Sequence, residues 1–214
     1  MTFPHNISSP FSFKLNEFIS KPEVVDLPVT PLHYPLAYFI NKLDSRLSLP
    51  GLIVGSMFPD LENPFIVLIL GTQVPNRLVL HSIFGAATIG TFLAVIFTVK
   101  IYPYLVSSLF HVNKERVKTK CKLSLGLVVS VLVGILSHVL LDFTNHPYNP
   151  LFWPFSSQTY TESPIYFALG DPLGSLYIQI IMAVPLVGLI IVNRKNLFEK
   201  LLVGYNCLTL LIES

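Results

Sequence analysis

His138 and Asp142 stand four residues apart inside "ILSHVLLDFTNHPYNPLFWPF", residues 135–155. On a helix that spacing puts an imidazole and a carboxylate on one face, within reach of a single ion. Two chemistries fit the pair taken alone: a core histidine hydrogen-bonded to a neighbouring carboxylate, or two ligands of a divalent metal. Ionisable groups inside a membrane are costly and usually line a site or a conduction path, which favours the metal. His146 follows four residues after Asp142. Pro147 disfavours a helical conformation at His146, so this imidazole stays on the same face only if the helix continues.

The elements that carry these residues are read from composition and hydropathy. The 214 residues are 52% hydrophobic and only 12% charged, with a mean hydropathy of +0.63, whereas a soluble domain has about a quarter charged residues. The chain is expected to be all-α, a polytopic membrane bundle with three full spans plus short re-entrant or interfacial helices. Residues 1–30 are expected to form a loop or surface segment, with a short helix around Phe11 to Ile19, and residues 31–214 a single membrane-embedded domain. The N-terminus lacks a basic start, continuous apolar core and small-residue cleavage site, so it is expected to be retained.

Three runs are long enough to cross a hydrocarbon core that needs about 20 apolar residues. They are Leu78 to Val99, Leu123 to Leu141 and Pro172 to Asn193. The connection between the first two carries Lys100, Lys114, Arg116, Lys118, Lys120 and Lys122 against a single Glu115, which orients it to the cytoplasm. The "NRK" after the third span agrees. His81, His138, Asp142 and Asp171 then fall at the outer ends of their spans. Upstream, Tyr34 to Leu43 and Leu47 to Phe58 are too short to span and read as a re-entrant or tilted hairpin around Lys42, Asp44 and Arg46. With that elbow inward, His33 and Asp60 return to the outer level. Phe65 to Leu70 and Leu201 to Ile212 are expected to be a packing segment and a terminal helix.

His33, Asp60, His81, His138 and Asp142 would thus converge at one depth, a set suited to zinc, or another first-row ion such as Mn2+. His111 falls on the basic side and His5 in the N-terminal loop, both as surface residues. Asp171 reads as a helix N-cap before Pro172. Phe152, Trp153 and Phe155 read first as an interfacial aromatic belt and second as pocket walls. Cys121 and Cys207 show no metal-ligand spacing and no case for a disulfide. The net charge of +2 and the placement of basic residues beside apolar runs exclude nucleic-acid binding.

Four pieces in order resemble a known family, the LexA-binding, inner-membrane-associated proteins regarded as metal-dependent hydrolases. They are "TPLH" with His33, "FPDLENP" with Asp60, "NRLVLHS" with Arg77 and His81, and "SHVLLD" followed by "PLFWP". The resemblance covers residues 30 to 155 and implies a polytopic protein with a hydrolase-like metal site on His33, Asp60, His81, His138 and Asp142. Two departures stand out. Glu62 replaces a second Asp, and Asn76 replaces a further His before Arg77, which leaves a mononuclear site or an inactive relative.

The expected activity is hydrolysis by a metal-activated water, with Glu62 or His146 as general base. Arg77, four residues before His81, either binds a phosphate or carboxylate of the substrate or anchors a helix end at the headgroups. A site at the outer face, rimmed by Tyr148, Phe152 and Trp153, suits a phospholipid or other amphipathic phosphoester. Peptides remain open, although neither His-Glu-x-x-His nor Gly-x-Ser-x-Gly occurs. The rivals are a small transporter or cation relay through His81, His138 and Asp142, and a non-catalytic membrane scaffold. Membrane lipids are the expected surroundings.

Overall fold

The structure is a computed structural model that describes residues 30–70, 77–156, 161–170, 173–194 and 197–204. Helix α1 (Tyr34–Leu43) follows a 3-10 turn (Thr30–His33) and carries Pro35 in its first turn, where a missing N–H leaves no bond unmade. Helix α2 (Leu49–Met57) is capped by Ser48, whose Oγ accepts from the Gly51 N–H. The elbow between them closes on an Asp44–Arg46 ion pair of 2.7 Å. A 3-10 turn (Pro59–Leu61) leads into α3 (Glu62–Leu70). After a second such turn (Val79–His81), Ser82 caps α4 (Ile83–Lys100), which contains a π-type stretch at Ala86–Gly90.

The basic connection folds as α5 (Tyr102–Phe110) and α6 (Lys114–Lys120), with His111 exposed between them at a φ of 57°. Helix α7 (Leu125–Asn145) is capped by Ser124. Two-residue strands β1 (Tyr148–Asn149) and β2 (Thr161–Glu162) pair antiparallel. Helices α8 (Pro164–Leu169), α9 (Leu173–Val192) and α10 (Leu197–Leu202) complete the described chain.

Helices α4, α7 and α9 are long and apolar enough to cross a membrane, in keeping with the three expected runs. Their ends differ from the hydropathy boundaries for physical reasons. The first helix starts at Ile83 because His81 belongs to the preceding turn and Ser82 supplies the cap. The second runs past Leu141 to Asn145, because Asp142 and Asn145 find polar partners there. It stops where Pro147 requires: His146 is extended, with φ −126° and ψ 146°. Only 6% of the α9 window is fully buried: Leu186 and Leu189 pack on the core and Ser175 bonds to α7, while residues such as Ile181, Val184 and Ile191 are exposed and free to face lipid. The C-terminal helix begins at Leu197, four residues before the expected Leu201. The expected surface helix near Phe11, the Asp171 cap, Asn76, Cys207, and the chain after Gly204 lie outside the described residues.

The centre of the bundle is the crossing of α2 and α7. Gly51 and Gly55 on α2 face Ser130 and Gly134 on α7, small residues at a spacing of four on both helices. A Cβ on Gly55 would lie 2.3 Å from the Val131 carbonyl oxygen, and one on Gly134 would lie 2.5 Å from that of Leu52. The two backbones therefore touch, as small-residue interfaces allow where lipid offers no hydrophobic drive for helix association. Ser130 Oγ adds a polar tie by accepting from the Ser48 N–H at 2.7 Å. This crossing fixes α2 in height against α7, with the elbow at the Ser124 end and Asp60 at the His138 end.

Candidate metal centre

The α2–α7 contact determines how His138 points. Its Nδ1 donates to the Ser56 carbonyl oxygen at 2.8 Å, and since a carbonyl only accepts, Nδ1 holds the proton and Nε2 keeps its lone pair. His81 is fixed in the same way from another direction. Its Nδ1 lies 3.1 Å from Glu62 Oε2, while the Glu62 oxygens also accept from the Leu78 and Leu80 N–H groups at 3.2 Å. Both imidazoles thus turn Nε2 inward. An outer hydrogen bond of this kind sets the tautomer and the ring direction of metal-binding histidines.

Asp60 and Asp142 occupy the space those nitrogens face. Asp60 Oδ1 is 3.5 Å from His138 Nε2 and 3.8 Å from His81 Nε2. Asp142 Oδ2 is 3.8 Å from His81 Nε2. His33 stacks on His138 with centroids 4.0 Å apart. The ligating atoms of His33, Asp60 and His138 lie within 4.8 Å of one another, as do those of His81, His138 and Asp142. The structure therefore brings all five candidate ligands together, from turns or helices far apart in sequence.

Three observations test whether these residues fit a cation. Asp60 Oδ2, His138 Nε2 and His33 Nδ1 are buried without a hydrogen-bond partner among the described residues, and each such group costs about 1–3 kcal/mol when left unsatisfied. Among the described residues the carboxylates Asp60, Glu62 and Asp142 gather around His81 while the one guanidinium at the cluster, that of Arg77, pairs with Asp142, so with neutral imidazoles the described carboxylates outnumber the cations. Ligands of a tetrahedral ion sit about 3.4 Å apart for bonds of about 2.0–2.1 Å, close to the 3.5–3.8 Å separations present. The donor set fits a divalent ion.

Charge also shapes the rim. Burial works against a charged His81, but the neighbouring Asp60, Glu62 and Asp142 carboxylates outweigh it and raise its pKa above the ordinary imidazole value. Burial likewise opposes the charge on Asp60, yet the imidazoles of His81, His138 and His33 leave its pKa below the usual value. For His33 burial prevails and lowers the pKa.

Arg77 and His146 form a second layer. Arg77 Nε donates to Asp142 Oδ2 at 2.8 Å. His146 Nε2 lies 2.6 Å from Arg77 Nη2 and 3.0 Å from Asp142 Oδ1. It can accept from the guanidinium or donate to the carboxylate, according to its protonation. Asn145 extends this layer by accepting from Ser175 Oγ of α9 at 2.9 Å. Beyond it, Leu151 is buried and its carbonyl accepts from the Ile83 N–H at 3.0 Å, while Phe152, Trp153 and Phe155 are exposed nearby. The Tyr148 side chain lies outside the described residues.

Residue type and spacing alone do not reveal the Ser56 carbonyl, the Glu62 contact with His81 or the Arg77–Asp142 pair. Gly51-x3-Gly55 and Ser130-x3-Gly134 were the available signal for the first, because they announce a helix contact that would bring Ser56 beside His138.

The fold and the cluster together define an α-helical membrane protein with a buried His/Asp group able to hold a metal. Comparison with protein families is consistent with that class: the model of the YdjM inner membrane protein family matches residues 32–212. The chain belongs to this family, an inner-membrane family, and the resemblance seen in its four motifs holds. Comparison with curated proteins and with solved structures gave no match.

Proposed function

We propose that the chain is a membrane-bound metal-dependent hydrolase acting on an amphipathic, phosphoester-like substrate. The observation that carries this reading is the pair of imidazoles, each held at Nδ1 so that Nε2 faces buried carboxylates, in a cluster where, among the described residues, carboxylates outnumber cations. His33, Asp60, His81, His138 and Asp142 would hold the ion, with zinc best suited to this nitrogen and oxygen set. A divalent ion in such a site supplies Lewis acidity and brings the pKa of a water to about 7.

The remaining residues have positioning and proton-handling roles. Glu62 keeps His81 in the binding tautomer; with its oxygens engaged by two N–H groups and an imidazole, this role suits it better than that of general base. Arg77 neutralises and orients Asp142. His146, poised between Arg77 and Asp142, is the group that can hold or pass a proton at Nε2. The exposed Phe152, Trp153 and Phe155 suit a substrate that remains partly in lipid. The basic α6 side, read as cytoplasmic, would place the cluster at the outer face.

The test is metal content by mass spectrometry on detergent-purified wild type, His138→Ala and Asp142→Asn, followed by phosphodiester hydrolysis in mixed micelles. Near-stoichiometric zinc or manganese in wild type, lost from both folded variants, supports the metal site. Turnover that follows metal content supports the hydrolase. Wild type that stays metal-free when supplied with divalent ions would sink the proposal and favour a scaffold.

A further inference from the structure

At the end of the bundle away from the metal cluster, a cavity of about 500 Å3 opens between the α1–α2 elbow, the start of α7 and α10. Lys42, Arg46, Lys120, Lys122 and Lys200 line it, and no carboxylate does so among the described residues. Nearby acidic groups are engaged: Asp44 with Arg46, Glu115 with Lys118 and Glu199 with Arg116. Lys42, Lys120 and Lys122 have no carboxylate partner among the described residues. The N-terminal ends of α2 and α7, at Ser48 and Ser124, also line the cavity and add the positive ends of two helix dipoles. From Ser124 to His138 α7 rises about 21 Å, so this cavity is separate from the metal cluster.

We infer that this cavity binds the phosphate headgroup of an anionic phospholipid. The chemistry calls for an anion with several acceptor oxygens, because Lys42, Lys120, Lys122 and two helix N-termini converge and, among the described residues, no carboxylate lines the cavity. Lipid is favoured over a soluble phosphate by the residues around it. Leu43 is 88% exposed and Leu123 63% exposed at the same level, and Leu47, Leu49 and Leu127 share the lining. A headgroup seated among the lysines would leave its acyl chains beside this apolar surface. Basic pockets between helices on the cytoplasmic side are suited to anionic headgroups.

The test uses the full chain in detergent, with affinity for phosphatidylglycerol and phosphatidylcholine read by native mass spectrometry. Lys42→Gln with Lys122→Gln removes two exposed cavity charges. Lys114→Gln with Lys118→Gln removes two charges from the same basic region but outside the lining. Wild type should prefer phosphatidylglycerol. The cavity pair should weaken that binding by about fivefold per lysine, or about thirtyfold together, while the control pair stays near wild type, with unfolding temperatures unchanged in both. Equal affinity for the two lipids, or equal losses in the two pairs, would overturn the site. Displacement of the lipid by millimolar inorganic phosphate would overturn lipid as the source of the anion.

Discussion

Gly134→Ala is the most informative single change, because it acts on the metal cluster without touching any candidate ligand. The new methyl would sit 2.5 Å from the Leu52 carbonyl oxygen and 3.0 Å from the Ser56 nitrogen. Restoring ordinary contact at about 3.4 Å requires α2 and α7 to part by about 0.9 Å, since both obstacles are backbone. The same movement would stretch the His138–Ser56 bond from 2.8 Å to about 3.7 Å, beyond hydrogen-bonding range. Overpacking contributes about 1–3 kcal/mol and the lost bond about 1 kcal/mol. At about 2–4 °C per kcal/mol for a chain of this size, Tm in detergent should fall by roughly 5–15 °C. Freed from Ser56, His138 should also bind metal about 10–100-fold more weakly. The control is Gly188→Ala in α9, where an added Cβ meets nothing within 4 Å; it should leave metal content and Tm at or slightly above wild type. If Gly134→Ala retained both wild-type Tm and wild-type metal, the tight crossing would be refuted. A lowered Tm with undiminished metal affinity would refute the link from Ser56 to the cluster.

Glu62→Gln keeps the shape at His81 but removes a charge; equilibrium dialysis should show metal affinity lower by about 10–100-fold, with little change in helical content. Arg77→Ala leaves Asp142 buried without its guanidinium, so the metal-free protein should lose about 3 kcal/mol of stability in denaturant unfolding. Added divalent ion should restore part of that loss. Acid should strip the metal, because a ligating imidazole must be neutral. His81, whose pKa is raised by its carboxylate neighbours, takes a proton first as pH falls, and His33, whose pKa burial lowers, takes one later. Apparent metal affinity, measured by titration at a series of pH values, should therefore already weaken as pH falls toward the ordinary imidazole value of about 6.5; an affinity that stays flat until well below that value would contradict the raised pKa of His81.

Much of the architecture was legible because lipid imposes a simple rule: long apolar runs become helices, and their polar residues gather where protein can bury them. The spans, the short hairpin and the break at His146 followed from run length, charge and one proline. The i, i+4 relation of His138 and Asp142 needed only helical geometry. What stayed hidden depends on direction and on backbone. The Ser56 carbonyl has no side-chain signature, and the Arg77–Asp142 pair joins residues 65 positions apart. Glu62 could be recognised as a nearby acid, but nothing in its type revealed that it would hold His81. Likewise, hydropathy ended α7 at Leu141, because a scale that penalises Asp142 and Asn145 cannot know that Arg77 and Ser175 satisfy them.

The close crossing at Gly134 has a consequence for how this chain can vary. Between that contact and His138 lies a single helical turn, so α7 acts as a gauge of fixed length. One inserted residue there would rotate the imidazole by about 100° and advance it about 1.5 Å, carrying it away from Ser56. Replacements on the outward flank, such as at Leu140, which is 57% exposed, change only what the lipid meets. Tolerance in this helix is thus directional: wide around its outer circumference, and close to zero along its axis.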